Sequence, residues 1–119
     1  VPIFSGLSTN SRVQQDKLAV EKAKNDIEFM DRTIDLDMSN ARAQLQNASQ
    51  SLEIQKKNIE LADEIFKTSK KKYDAGVGSN LEVLSAETAL KEAQTNYFNA
   101  LYDAVVAKVD YERATGTIK

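Results

Sequence analysis

Carboxylates are the only abundant side chains here that could do acid–base or metal chemistry: eighteen Asp and Glu, with no histidine and no cysteine. Without histidine the commonest general base and metal ligand is missing. Ser-His-Asp and Cys-His nucleophilic sites are excluded, as are thiolate metal sites, disulfides and His-containing di-iron bundle sites. The carboxylates are interleaved with sixteen Lys and Arg, the pattern of solvated helix faces. The expectation is no catalytic residue, no metal and no cofactor, and a chain that is not an enzyme. A net charge of −2 supplies no electrostatic footprint for nucleic acid. No apolar run approaches the ~20 residues of a membrane-spanning helix. The start at Val1, with no initiating Met or leader, is expected of a segment of a longer mature protein.

The remaining informative types are the helix breakers. Proline occurs only at position 2, and glycine only at 6, 76, 78 and 116. Nothing between Gly6 and Gly76, or between Gly78 and Gly116, interrupts a helix. Ser11 to Gln14 reads as a capping box, so a first helix is expected over about 11–75, closed by Gly76 in the left-handed conformation. Lys70, Lys71 and Lys72 sit where cations oppose the negative end of its macrodipole. Ser79-Asn80-Leu81-Glu82 is a stronger capping box. A second helix is expected over about 79–115, with Gly116 as its C-terminal cap. The fold class is all-α: a long antiparallel coiled-coil hairpin with unequal arms and its tip at 76–78.

Both arms carry a heptad seam. Ala41, Leu45, Ala48, Leu52, Gln55, Ile59, Ala62, Phe66, Ser69 and Tyr73 alternate in steps of four and three. So do Val83, Ala86, Leu90, Ala93, Tyr97, Ala100, Ala104, Ala107, Tyr111, Ala114 and Ile118. This is the period of a left-handed coiled coil. A short tip places Tyr73 opposite Val83, Phe66 opposite Leu90, Ile59 opposite Tyr97, Leu52 opposite Ala104 and Leu45 opposite Tyr111. Large residues often face small ones, and the alanines let the helices approach closely. Glu28/Arg32, Glu53/Lys57, Asp63/Lys67 and Glu87/Lys91 place an acid four residues before a base, each adding a few tenths of a kcal/mol.

The arms differ in length, roughly 98 Å against 55 Å at 1.5 Å per residue. Residues 11 to 40 therefore lack a partner in the hairpin, yet they carry a stripe of their own: Val13, Val20, Ala23, Ile27, Met30 and Ile34. Its phase shifts through a stutter at Met30, Ile34 and Met38. A second stripe runs off each seam, at Ile54, Leu61 and Ile65 and at Phe98, Leu101, Val105 and Val109. A two-helix hairpin cannot bury these as well. A dimer of hairpins and a ring of hairpins both satisfy this pattern.

The pieces resemble, in order, a TolC-like outer-membrane efflux protein. Val1-Pro2-Ile3-Phe4-Ser5-Gly6 resembles the family's PIF-x-G segment, where a barrel strand leads into a long periplasmic helix. Tyr73 through Leu84 resembles the tip pattern Y-x-x-G-x-x-S-x-x-D-V-L. Ala86 to Ala100 resembles the seam that follows it, and Ala114-Thr115-Gly116 the closing A-x-G. The resemblance implies one periplasmic hairpin of a larger channel subunit over 1–119: the end of a barrel strand or linker at 1–7, the long helix at 8–75, the tip at 76–78, the shorter helix at 79–119. It is more similar to the second of the family's two repeats.

The same resemblance implies partners and a site. Copies of the subunit would form a homotrimer with its barrel in the outer membrane and this segment in the periplasm. A periplasmic adaptor protein, serving an inner-membrane pump, would meet Gly76, Val77, Gly78, Ser79 and Leu81. The same residues also suffice for a plain tight turn. Glu82 and Tyr73 match positions that narrow the closed pore in some relatives. Gly78, where an Arg sits in some relatives, and Ser85, where a second acid can occur, depart from that gate. Two other readings fit the same sequence: the coiled-coil hairpin of the adaptor itself, and a generic structural coiled coil.

Overall fold

A computed structural model describes residues 2–117, with side chains from Ser5 onward. The chain divides into two units at Asp37/Met38, where the stutter in the seam ends. Two helices make up the secondary structure of the described residues: α1, Pro2–Asp74, of 73 residues, and α2, Asn80–Ala114, of 35 residues. The all-α hairpin with unequal arms is thus present, with the turn between Asp74 and Asn80.

The start of α1 differs from expectation. Residues 2 to 7 are helical, not the end of a strand, and the Ser11 capping box is not used, because the helix is already under way. A strand needs a neighbour to take its backbone hydrogen bonds, and the described residues contain no strand; a helix satisfies those groups within itself. Proline suits the first helical position because its missing N–H has no intrahelical partner to lose. Gly6 lies in open space, so it neither packs nor breaks the helix. Val1 and the last seam position, Ile118, lie outside the described residues.

Every described side chain from Ser5 to Asp37 is exposed, including Val13, Val20, Ile27, Met30 and Ile34. Their stripe runs along one side of a helix with Asp16, Lys17, Glu21 and Lys24 beside it. Glu28 pairs with Arg32 on this segment.

From Met38 onward the seam is as the heptads require. On α1 Ala41, Leu45, Ala48, Leu52, Gln55, Ile59, Ala62, Phe66 and Ser69 are buried or half-buried. On α2 the same holds for Val83, Ala86, Leu90, Ala93, Tyr97, Ala100, Ala104, Ala107, Tyr111 and Ala114. Ala48 and Ala107 line one groove, and Ser69 and Ala86 another, in the expected antiparallel register. Only Ala41, Ala86, Ala100 and Ala107 among the described residues are fully buried. Two helices enclose no interior, so the deepest places are those where a methyl group lets the backbones close in. Tyr73 is the exception: 47% exposed, it stands one residue before the end of α1, where the chain turns away from the seam.

The remaining three acid–base pairs also form, Glu53–Lys57 and Glu87–Lys91 at 3.0 Å and Asp63–Lys67 at 2.5 Å. A further pair, Lys108–Glu112, spans 3.9 Å with the base first.

Candidate functional site

The turn is built from backbone hydrogen bonds that end α1. Gly76 N–H donates to Tyr73 O at 2.9 Å and Val77 N–H to Lys72 O at 3.0 Å. This crossed pair is a Schellman motif, and it requires the left-handed conformation at Gly76, whose φ is 75°. Gly116 repeats the arrangement at the end of α2, with φ 70°, Gly116 N–H on Arg113 O and Thr117 N–H on Glu112 O. Gly78 N–H joins Val77 in donating to Lys72 O, also at 3.0 Å.

Ser79 then opens α2. Its backbone is extended, and its hydroxyl accepts Glu82 N–H at 3.2 Å. The other half of the box is missing: the Glu82 carboxylate has no hydrogen-bond or ion-pair partner among the described residues. Glu82 is thus exposed and uncommitted, and capping does not compete for its charge. The Tyr73 hydroxyl also finds no partner within the described residues.

Of the five residues expected at the tip, Val77 at 79% and Leu81 at 75% are the most exposed large apolar side chains among the described residues. Gly76 and Ser79 are exposed as well, whereas Gly78 is half-buried. The tip thus offers two bare hydrocarbon groups at an end otherwise bearing Lys70, Lys71, Lys72 and Asp74.

The flanks of the hairpin are asymmetric in a way that periodicity alone does not reveal. One broad face carries Gln44, Asn47 and Ala48 of α1 beside Asp103, Val106 and Asp110 of α2. Nearer the tip it carries Ile65, Ser69 and Lys72 beside Glu82, Ser85 and Ala89. The other face carries Ile59, Glu60 and Asp63 beside Leu90 and Gln94. Ile54 and Leu61 repeat the heptad position of Asn47 and so share the first face with Ile65. Leu101 repeats the position of Gln94, and Phe98 and Val105 stand four residues beyond those two, so they belong to the second face. The exposed apolar stripe of α1 thus lies on the first face and that of α2 on the second, with Val106 an apolar member of α2 on the first face. On the first face, Glu82, Ala89, Asn96, Asp103 and Asp110 form one heptad row of α2. Ile54, Leu61 and Ile65 are exposed, as are Phe98, Leu101, Val105 and Val109. The Phe98 ring meets Tyr97 edge-on with centroids 5.7 Å apart.

Among the described residues no cluster of acids is placed to hold a metal ion, and no helix is long and apolar enough to cross a membrane.

The whole described chain is covered by one family. The model of the family described as Outer membrane efflux protein matches residues 1–117. The chain is 25% identical over 118 residues to the "Outer membrane protein TolC" of Vibrio cholerae serotype O1, covering 99% of this chain and 27% of that protein. It is 26% identical over 116 residues to the "Outer membrane efflux protein BepC" of Brucella suis biovar 1, covering 98% of this chain and 25% of that protein. The chain thus spans about a quarter of the length of these relatives. No solved structure matches it. With a hairpin of the expected seam and tip, and a match along nearly its full length in place of the adaptor or generic coiled-coil alternatives, this chain belongs to the outer membrane efflux protein family.

Proposed function

We propose that this chain is a periplasmic wall segment of an outer-membrane efflux channel, an assembly of three like subunits that conducts small molecules or proteins outward without catalysing any reaction. The observation that carries this reading is the pair of apolar stripes on opposite faces of the hairpin. A dimer of hairpins closing a four-helix bundle would call for one shared apolar face. Stripes on both faces call for a helical neighbour on each side, as in a wall of packed helices. Family membership supports the same reading.

In this wall the tip docks a periplasmic adaptor protein through Val77 and Leu81, and the adaptor links the channel to an inner-membrane pump. Exposed hydrocarbon at an otherwise charged end is the kind of surface that a partner covers. Glu82 and Tyr73 border the closed end of the passage. The free carboxylate of Glu82 supports this, as does its place at the head of the row that continues through Asn96, Asp103 and Asp110.

The deciding experiment uses the full-length protein. Ile54→Asp and Phe98→Asp are introduced separately, and trimer formation in the outer-membrane fraction is measured. Loss of trimer with either variant is expected. A normal trimer with both would remove the wall reading, because neither stripe would then be covered.

A further inference from the structure

The two tip glycines meet different requirements. Gly76 needs its torsion: φ is 75°, and nothing lies within 4 Å of where a Cβ would stand. Gly78 needs space. It is not among the positive-φ glycines of the described chain, which are Gly76 and Gly116. A Cβ on Gly78 would lie 2.9 Å from the Tyr73 amide nitrogen, 3.0 Å from Lys72 Cβ and 3.1 Å from the Lys72 carbonyl carbon. Two of these atoms are backbone within the last turns of α1, and the third is the first atom of a side chain. None can swing aside as the end of a flexible side chain could. The Lys72 carbonyl meanwhile accepts both Val77 and Gly78 N–H, each at 3.0 Å, so the loop is pinned at the point where the Cβ is missing.

We propose that Gly78 is a positioning residue for docking: the absence of its side chain lets the turn close onto Lys72 and Tyr73, and that closure holds Val77 and Leu81 outward as the contact pair. This rests on the docking reading above. Gly78 itself is not a contact. A methyl group there lifts residues 77 to 79 away from α1 and parts the two N–H groups from Lys72 O. It also displaces Ser79, whose hydroxyl starts α2. The partner fitted by this geometry presents an apolar patch that meets Val77 and Leu81 together. Substitution at Gly76 acts differently, since Asn adopts the left-handed conformation and has open space there.

Hydrogen exchange and adaptor binding on the full-length protein test this, with the purified adaptor of its own efflux assembly as the probe. In the unaltered protein the Val77 and Gly78 amides should exchange far more slowly than that of Asn80. If Gly78 exchanges as freely as Asn80, the closed turn does not exist and the proposal falls. Gly78→Ala should cost about tenfold or more in Val77 amide protection, the size expected of a clash that cannot relax. The amides between Ala86 and Ala107 should keep theirs. Adaptor binding should weaken about tenfold or more, while Gly76→Asn, which meets open space, should keep Val77 amide protection near that of the parent. Retained Val77 protection in Gly78→Ala overturns the proposal, and so does lost protection with unchanged binding. A Val77→Ser, Leu81→Ser double variant that binds the adaptor like the parent instead overturns the docking reading itself. That outcome is distinguishable because the exchange measurement on Gly78 does not involve the adaptor.

Discussion

The Ser79 hydroxyl accepts the Glu82 amide at 3.2 Å while the Glu82 carboxylate stays free, so the two ends of one capping motif have different uses. Ser79→Ala should lower hairpin stability by about 0.5–2 kcal/mol, the range for loss of an N-cap. Glu82→Gln should cost no more than about 0.3–1 kcal/mol through the helix dipole. In the full-length channel Glu82→Gln is expected to alter conductance and divalent-cation block; unchanged values would remove Glu82 from the pore. Thermal unfolding of both variants and single-channel recording make the comparison.

Gly76→Ala forces an L side chain into a left-handed conformation, which costs roughly 1–2 kcal/mol. Gly76→Asn should cost visibly less. Denaturant titration of the two variants side by side should therefore rank them parent, Asn, Ala. Equal losses would mean that the torsion at φ 75° is not what the position demands.

The alanine seam predicts intolerance of bulk. Ala100 is 6% exposed and Ala86 likewise, so Ala100→Leu must push the helices apart. The expected loss is about 1–3 kcal/mol, whereas Ala→Leu at exposed Ala43 should be near neutral. Circular dichroism melts of the two would show whether close approach matters where the burial places it.

Exposed ion pairs should matter little. Asp63→Asn removes a pair whose side chains are 67% and 42% exposed. Pairs of this kind contribute ~0.3–0.5 kcal/mol on a helix. A loss above 1 kcal/mol, or one insensitive to salt, would point to a second role for Asp63 on the second face.

Much of this arrangement is legible in the sequence, for identifiable reasons. The seam from Ala41 to Ser69 and from Val83 to Ala114 follows from its period, since a heptad fixes which side of each helix is covered. The four acid-before-base pairs follow from spacing alone. The start of α1 does not, because the PIF-x-G resemblance points to a strand whereas residues 2 to 7 satisfy their backbone groups within a helix. Nor does the half-made capping box, since whether an exposed Glu82 reaches back is a matter of one rotamer. Glycine at 78 reads like glycine at 76 in sequence, and only the 2.9 Å approach to Tyr73 separates a spatial need from a torsional one. The stripes are visible as periodicities, but which face each occupies depends on how the two helices pair.

The four side chains buried among the described residues, all alanine, have a consequence for the life of the protein in the cell. In the proposed channel wall, a hairpin whose innermost groups are methyls gains most of its stability only when its neighbours arrive. Subunit folding and subunit association then become one equilibrium, sensitive to how much protein is made. On the proposed channel reading, copies without companions stay half-formed and open to proteases, so the level of assembled channel should rise more steeply than in proportion to synthesis.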